Sequence, residues 1–173
     1  MYGICLAAEK RYDDAISELQ KAASSFPEDM ETQTMLADTL LAVGRTSEAE
    51  ATLKSLSDMF PQDTKLLFRC ALLALSANNL DKAKLMFERV RNADPEFPDV
   101  NYYLAKSSIS TQNWQEFKPL LDEAAKRAPN DPKVQLLEAE FKRARSAFAD
   151  ASKVCRDVLA KNPNFGPAYY ELA

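Results

Sequence analysis

The sequence predicts an all-α protein built as a linear array of one repeated helix pair, and three observations predict it. Five prolines, Pro27, Pro61, Pro95, Pro129 and Pro163, follow one another at a spacing of 34 residues. Small residues recur at the same period, in two separate columns of the aligned units. Glycine occurs only three times in 173 residues, which disfavours the glycine-dependent hairpin turns of a β-protein. A unit of this length cannot bury its own apolar face, so it stacks on copies of itself.

The small columns mark the positions at which two helices come close together, because only a short side chain permits that contact. The first column contains Gly3, Ala37, Ala71, Ala105, Ala139 and Ala173, and the second contains Ala15, Ala49, Ala83 and Ala151. Large residues fill a third column, Leu19, Leu53, Phe87 and Leu121, followed by Cys155. Small and large side chains therefore alternate, as interlocking helices require.

Local signals predict where the helices begin and where they turn. Pro98, Pro132 and Pro167 are predicted at helix starts, where a missing N–H has no cost, and Asp131 is predicted to cap the helix that follows it. In the column between the two helices of a unit, Gly44 and Asn78 are residue types that tolerate a left-handed turn.

The fourth unit departs from this pattern. Asn113 and Glu116 predict a capping box at the start of its second helix. Phe117 then occupies a column that is elsewhere alanine, and Pro119 follows inside the expected helix. These two residues predict an irregularity at 114–121, with a kinked or delayed helix, either as a repacked unit or as a hinge.

Several segments resemble the tetratricopeptide repeat. Ala83-Lys-Leu-Met-Phe87 followed by Pro95 is similar to the second half of that motif, Arg11-Tyr-Asp-Asp-Ala-Ile16 to its turn, and Pro167-Ala-Tyr-Tyr-Glu-Leu-Ala173 to its first helix. The resemblance covers the whole chain and implies a right-handed α-α superhelix, a solenoid of antiparallel helix pairs. The expected organisation is a single array over 1–173, with repeats at approximately 1–29 (partial), 30–63, 64–97, 98–131, 132–165 and 166–173 (partial).

Composition disfavours several classes of function. A net charge of −4 and a pI near 5.0 argue against nucleic acid, and the basic residues from Lys142 to Arg156 are interpreted as a solvated helix face. The longest apolar run, Cys70 to Leu75, is far too short for membrane insertion. With no histidine, no metal-ligand cluster and no activating partner beside a cysteine, neither an enzyme nor a cofactor or metal site is expected.

Cysteine usage and the chain ends bear on location and assembly. Cys5, Cys70 and Cys155 fall at positions expected to be buried and are interpreted as small hydrophobic residues. Free thiols favour the cytoplasm, with the periplasm as the alternative if a parent protein carries a signal peptide. Both ends fall partway through a unit, which suggests a fragment of a longer protein and raises the hypothesis of head-to-tail pairing between copies.

The resemblance implies that the first helix of each unit lines a concave groove. Three rows of side chains would then face inward: Thr34, Phe68, Tyr102, Leu136 and Tyr170; Asp38, Leu72, Lys106 and Glu140; and Leu41, Leu75, Ile109 and Arg143. The helix that contains Phe68, Leu72 and Leu75 has scarcely any polar side, and such a helix is normally covered all round. Exposed apolar stripes of this kind are enriched at interfaces, although Tyr102 and Tyr170 also stand where the family commonly has tyrosine.

The sequence therefore predicts a scaffold for protein–protein interaction. The predicted partner-binding residues are Phe68, Leu72, Leu75, Tyr102, Lys106, Ile109, Leu136, Arg143, Lys65 and Arg69. The expected partner is a peptide or protein with apolar anchors and some acidic residues, held in the groove. The alternatives are a structural segment that mediates self-association within a longer array, or an accessory subunit of a bacterial secretion or surface-polymer assembly.

Overall fold

The structure is a computed structural model and describes residues 11–172, which form ten α-helices and no β-strand. The helices are α1 Tyr12–Ser25, α2 Met30–Ala42, α3 Thr46–Met59, α4 Thr64–Ser76, α5 Leu80–Ala93, α6 Val100–Ser110, α7 Trp114–Arg127, α8 Pro132–Ala144, α9 Phe148–Lys161 and α10 Gly166–Leu172. They divide into two compact units, one ending at Asn78 and the other beginning at Asn79. This boundary falls between the two helices of the predicted repeat 64–97.

In the first unit, each helix packs against the next one along the chain, from α1 to α4. The alanines of the two small columns are the contact points: Ala15, Ala37, Ala49 and Ala71 have no exposed surface. Because a methyl group is all that separates the backbones there, longer side chains on either side interdigitate. Leu53 is one of these, at 2% exposure.

In the second unit, α6 packs against α7, α8 against α9 and α9 against α10, and α6 also contacts α8. Ala83, Ala105 and Ala139 are fully buried. The C-terminal core cluster contains Leu136, Ala139, Ala151, Cys155, Val158 and Ala168. Both small columns and the large column are therefore core positions wherever the structure describes them. Gly3, Cys5 and Ala173 lie outside the described residues.

The turn between the two helices of a 34-residue repeat has the same backbone conformation in four repeats. Gly44, Asn78, Gln112 and Ser146 all have positive φ, at 78°, 57°, 56° and 62°, and they are spaced at the repeat period. The prediction for Gly44 and Asn78 is confirmed. The next N–H bonds back to the helix, from Arg45 to the Leu40 carbonyl at 2.9 Å and from Ala147 to Lys142 at 2.9 Å. These bonds satisfy carbonyls that a helix end leaves without a partner.

The repeat proline carbonyls accept hydrogen bonds that the sequence pattern did not predict. The pairs are Gln33 Nε2 to Pro27 O at 3.3 Å, Gln135 Nε2 to Pro129 O at 3.0 Å, Tyr169 Oη to Pro163 O at 3.0 Å and Arg127 Nη2 to Pro95 O at 2.6 Å. Three donors occupy one column of the repeat. Where that column has the shorter Asn101 on α6, the guanidinium of Arg127 reaches the Pro95 carbonyl from the end of the next helix, α7, instead. These bonds connect four of the five proline turns to a helix that follows the turn.

Helix starts follow the predictions with one exception. Asp131 accepts a hydrogen bond from the Lys133 N–H at 2.9 Å, and Pro132 is the first residue of α8. Pro98 does not begin a helix. Asp99 adopts a left-handed conformation, with φ of 62°, and α6 starts at Val100. This backbone turn after the proline moves the helix start two residues along the chain.

The prediction that the second helix of the fourth repeat, 98–131, starts late is wrong. The helix α7 begins at Trp114 and runs without a break to Arg127, with Pro119 inside it. Phe117 is 1% exposed, and its ring stacks on Phe141 at a centroid distance of 4.2 Å. Trp114 packs edge-on against the same Phe141 ring at 5.6 Å. This aromatic packing anchors the helix before the proline and offsets the hydrogen bond that the proline removes.

The capping box predicted in the fourth repeat forms only in part. Asn113 is the N-cap residue of α7, but its side chain accepts no hydrogen bond from the helix. It hydrogen-bonds the Glu116 carboxylate instead, and the pKa of Glu116 is lowered first by a hydrogen bond from Lys84. Lys84 Nζ lies 2.7 Å from Glu116 Oε2. Charge pairing with the previous repeat has therefore replaced the local cap.

We expect Ser146→Gly to stabilise the protein, because glycine reaches positive φ without the cost that an L-residue incurs there. The expected gain in the free energy of unfolding is about 0.5–1 kcal/mol, after the extra freedom of glycine in the unfolded chain is subtracted. Urea denaturation followed by circular dichroism measures it. Ser152→Gly, the same exchange in the interior of α9, is the matched control and should lose about 0.5–1 kcal/mol. Equal losses in both variants would contradict the role of the left-handed turn.

Candidate partner-binding surface

In the first unit, the apolar side chains predicted to meet a partner lie on α4. Phe68, Leu72 and Leu75 are half-buried, whereas six other residues of this helix are buried: Leu66, Leu67, Cys70, Ala71, Leu73 and Ala74. The packing of α4 within the protein thus covers most of the helix. It leaves part of one apolar stripe accessible to a partner, at the spacing of successive helical turns.

A charged pair lies beside this stripe. Arg69 Nη1 of α4 lies 2.9 Å from Asp38 Oδ2 of α2 and connects the first helices of two consecutive repeats. Both side chains are about half exposed, at 45% and 56%, so the pair contributes little to stability. The pair matters more for recognition of a partner, because the Arg69 guanidinium already has an anionic group beside it. Lys65 is exposed and forms no ion pair with any residue between 11 and 172.

In the second unit, the predicted residues of α6 are Tyr102, Lys106 and Ile109, and all three are half-buried. The Tyr102 ring packs edge-on against Tyr103 at a centroid distance of 5.0 Å, and the Lys133 ammonium lies 5.3 Å from its centre. Burial raises the pKa of Tyr102 to about 12, and the nearby carboxylate of Glu140 acts in the same direction. The hydroxyl therefore remains a neutral hydrogen-bonding group at physiological pH.

Two further ion pairs connect first helices in the second unit. Lys106 Nζ lies 3.6 Å from Glu140 Oε1, and Arg143 Nε lies 2.7 Å from Glu171 Oε2. Burial raises the pKa of Glu140, and the ammonium of Lys106 opposes this effect. With the Arg69–Asp38 pair of the first unit, three of the four cations predicted to attract an acidic partner are thus neutralised within the protein.

One predicted contact residue is not available to a partner. Leu136 is 3% exposed and belongs to the C-terminal core cluster, so its inclusion in the binding surface is wrong. Its column faces the groove according to the resemblance, but here α8 turns this side chain into the packing against its neighbours. Tyr170, in the same column on α10, is 87% exposed.

Sequence analysis missed two clefts that lie away from these residues. Cleft I, of about 490 Å³, lies between the second helices α5 and α7, with α6 at its base. Cleft II, of about 310 Å³, lies between α7 and α9, with α8 at its base. Seven of the eleven residues that line cleft II occupy the same repeat columns as residues that line cleft I, one period later. The signal was present in the sequence as acidic residues at matching columns, Glu88 with Asp122 and Glu123 with Asp157.

The cysteines of the described chain are packing residues, as predicted. Cys70 and Cys155 are buried, at 6% and 0% exposure, and the Cys70 thiol donates a hydrogen bond to the Leu53 carbonyl at 3.7 Å. Burial raises the pKa of Cys155, which disfavours the reactive thiolate. Between residues 11 and 172, no group of three or more acidic or cysteine side chains is arranged to hold a metal ion. None of the helices in this range has the length and apolar run needed to cross a bilayer.

Solved structures with the same arrangement of helices define the fold class. A tetratricopeptide repeat protein from Parabacteroides merdae superposes with a TM-score of 0.88 at 16% identity, over 99% of this chain and 68% of that one. MamA gives a TM-score of 0.80 at 15% identity, over 94% of this chain and 95% of that one. YrrB, described as a tetratricopeptide repeat protein with an unusual peptide-binding site, gives 0.68 at 19% identity, over 89% and 79%. The chain therefore has the all-α solenoid fold of antiparallel helix pairs.

A match to a family model in sequence assigns the chain to a family. The family model of the tetratricopeptide repeat matches residues 6–74 and 74–141, and the chain belongs to this family. No functionally curated protein matches the chain in sequence. Family and fold are those of helical scaffolds for protein interaction.

The environment of Tyr102 predicts a loss of stability at alkaline pH. An unfolded chain releases the tyrosine proton near pH 10, whereas the folded protein retains it until about pH 12. The folded state thus binds more protons in this window, so the free energy of unfolding falls as the pH rises through it. Urea denaturation at pH 9, 10 and 11 should show a smaller fall for Tyr102→Phe than for the wild type.

The control for this experiment is Tyr170→Phe, which removes a hydroxyl from a side chain that is 87% exposed. It should keep the pH dependence of the wild type. If Tyr102→Phe also keeps that dependence, the phenol is not held in its protonated form by the fold.

Proposed function

We propose that the protein is an interaction scaffold that holds a peptide or protein segment against the side chains of its first helices. The observation that carries the proposal is the partly accessible apolar stripe of Phe68, Leu72 and Leu75 on a helix whose other apolar residues are buried. Groove recognition of peptides uses anchors at this spacing, because each anchor removes apolar surface from water on both partners. The peptide-binding site described for YrrB, which has the same fold, supports the proposal.

The second unit offers surface of a mixed character. Ile109 continues the apolar chemistry, while Tyr102 supplies a ring and a neutral hydroxyl. Such amphipathic side chains are frequent anchors of protein interfaces. Lys106 and Arg143 are the remaining residues of the proposed surface on this unit.

The ion pairs alter the expected chemistry of the partner. The sequence favoured acidic residues in the partner, but Arg69, Lys106 and Arg143 each already face a carboxylate. A partner carboxylate would compete with an existing pair and gain little from the exchange. We therefore propose a partner whose affinity comes from apolar anchors, with Lys65 as the remaining cation for an acidic contact.

Self-association is the second candidate function. The exposed rings of Tyr169 and Tyr170 favour it, at 55% and 87% exposure on the short helix α10. The N-terminal segment that would complete head-to-tail pairing lies outside the described residues. Light scattering over a range of concentrations separates the two candidates, since self-association requires the apparent mass to rise with concentration.

We expect Leu72→Glu to abolish most of the binding of selected peptides. The experiment selects ligands for the wild-type protein from a phage-displayed library of random 15-residue peptides and measures their affinity by fluorescence anisotropy. A buried glutamate at the stripe would lack a partner, so the Kd should rise by about tenfold or more. The selected peptides should be rich in apolar residues.

The matched control is Leu85→Glu, the same exchange at a residue of α5 that is 59% exposed and lies outside the proposed surface. Circular dichroism verifies that both variants keep their helicity. If the selected peptides bind Leu72→Glu and Leu85→Glu equally well, the first-helix stripe is not the binding surface.

A further inference from the structure

Clefts I and II both lie between second helices of the second compact unit. They differ in whether charged side chains bridge the helices at their rims. In cleft I, Lys84 of α5 reaches across to Glu116 of α7 at 2.7 Å. At the other end, Arg127 of α7 bonds the Pro95 carbonyl and the Glu96 carboxylate at 2.6 Å and 2.8 Å. Charged side chains therefore bridge cleft I on both sides.

Cleft II has no such bridge. The lysine at the column of Lys84 is Lys118, and it pairs with Asp122 of its own helix at 2.8 Å. Among the residues that the structure describes, no ion pair connects α7 with α9. The cleft between these two second helices is consequently open along its rim.

The lining of cleft II combines an apolar base with carboxylates at its rim. Leu121, Val134 and Val158 are almost fully buried, at 7%, 3% and 2% exposure, and form the apolar wall. Asp122, Glu138 and Asp157 are the acidic residues of the rim, and all three are exposed. Lys118 is the basic residue that lines this cleft.

The protein's own lysine shows which charge the rim favours. The hydrogen bond that Lys118 donates to the Asp122 carboxylate raises the pKa of Lys118, and the charge of Glu138 adds to the effect. Glu138 also forms an ion pair with Lys142, with 3.5 Å between Oε1 and Nζ. Asp157, in contrast, forms no ion pair with any described residue. One carboxylate at the rim is thus left for a cation from outside the chain.

We propose that cleft II binds a lysine or arginine side chain of a partner segment, as a second interaction site separate from the first-helix surface. The aliphatic part of such a side chain packs on the apolar wall, and its charged head reaches the carboxylate of Asp157 at the rim. A cavity of about 310 Å³ is at the small end of the range of ligand pockets, as suits one side chain rather than a whole ligand.

A difference between the two clefts supports this assignment. The column that contains Arg91 in cleft I contains Ala125 in cleft II. Cleft I thus has a guanidinium of the chain's own at a position where cleft II has a methyl group and free space. The proposed ligand supplies to cleft II the charge that the sequence supplies to cleft I.

The test titrates isotope-labelled protein with the acetylated and amidated peptide Gly-Leu-Arg-Leu-Gly and follows backbone amide shifts by NMR. A matched peptide replaces arginine by citrulline, which keeps the shape and removes the charge. Saturable shifts should be centred on α8 and α9, with a Kd of about 1 mM, as suits a single anchored side chain. The citrulline peptide should bind about fivefold more weakly or worse.

Two variant pairs locate the binding. Asp157→Asn should raise the Kd by about threefold to tenfold, while Asp150→Asn, which removes the same charge from another exposed position of α9, should leave it unchanged. Ala125→Arg places the guanidinium of cleft I in cleft II and should abolish binding. Ala149→Arg adds the same charge at an exposed residue near the start of α9 that does not line the cleft, and it should weaken binding less than twofold.

Equal weakening by Asp157→Asn and Asp150→Asn would overturn the proposal, because it indicates non-specific attraction to an acidic surface. Non-saturating shifts, or shifts centred on the first helices, would overturn it as well. The outcome is independent of the first-helix surface, since Leu72→Glu should leave the arginine peptide bound with unchanged affinity.

Discussion

The close approach of helices at the alanine columns is the constraint on which the rest of the structure depends. Ala37, Ala71, Ala105 and Ala139 have no exposed surface at all, and each stands one repeat after the previous one. A methyl group at such a contact sets the separation of two helix axes, and every larger side chain nearby must fit that separation. The partly exposed stripe on α4 and the clefts between second helices are what remains open once these contacts are made.

Much of this arrangement could be predicted from the sequence, because a repeat supplies several independent copies of the same information. The small and large columns and the left-handed turn at Gly44 and Asn78 required only alignment on the proline period. Gln112 and Ser146 adopt the same positive φ without glycine or asparagine, at 56° and 62°. Stacking of the repeats thus determines the turn, and the residue type adjusts only its cost.

The predictions failed where tertiary contacts outweighed a local rule. Pro119 is unfavourable inside a helix, yet Phe117 stacks on Phe141 of the next repeat and holds the helix in place. At the predicted binding surface, periodicity placed Phe68 and Leu72 on one stripe, and both are half-buried, but periodicity carries no information on contacts between helices. The ion pairs join residues 31, 34 and 28 positions apart along the chain, so no single column offset predicts them. Only the distances between neighbouring helices reveal these pairs.

In the second unit, the charges along the first helices and those around cleft II are paired in different ways. First helices lie close enough for Lys106 to reach Glu140 and for Arg143 to reach Glu171, so the charges there are largely cancelled. Around cleft II the second helices are bridged by no ion pair of the described chain, and Lys118 and Lys142 turn back to carboxylates one turn away on their own helices. A surface whose charges are cancelled recognises apolar groups, whereas a surface that retains an unpaired Asp157 attracts cations. The two proposed surfaces therefore differ in the chemistry of the partner that each would recognise.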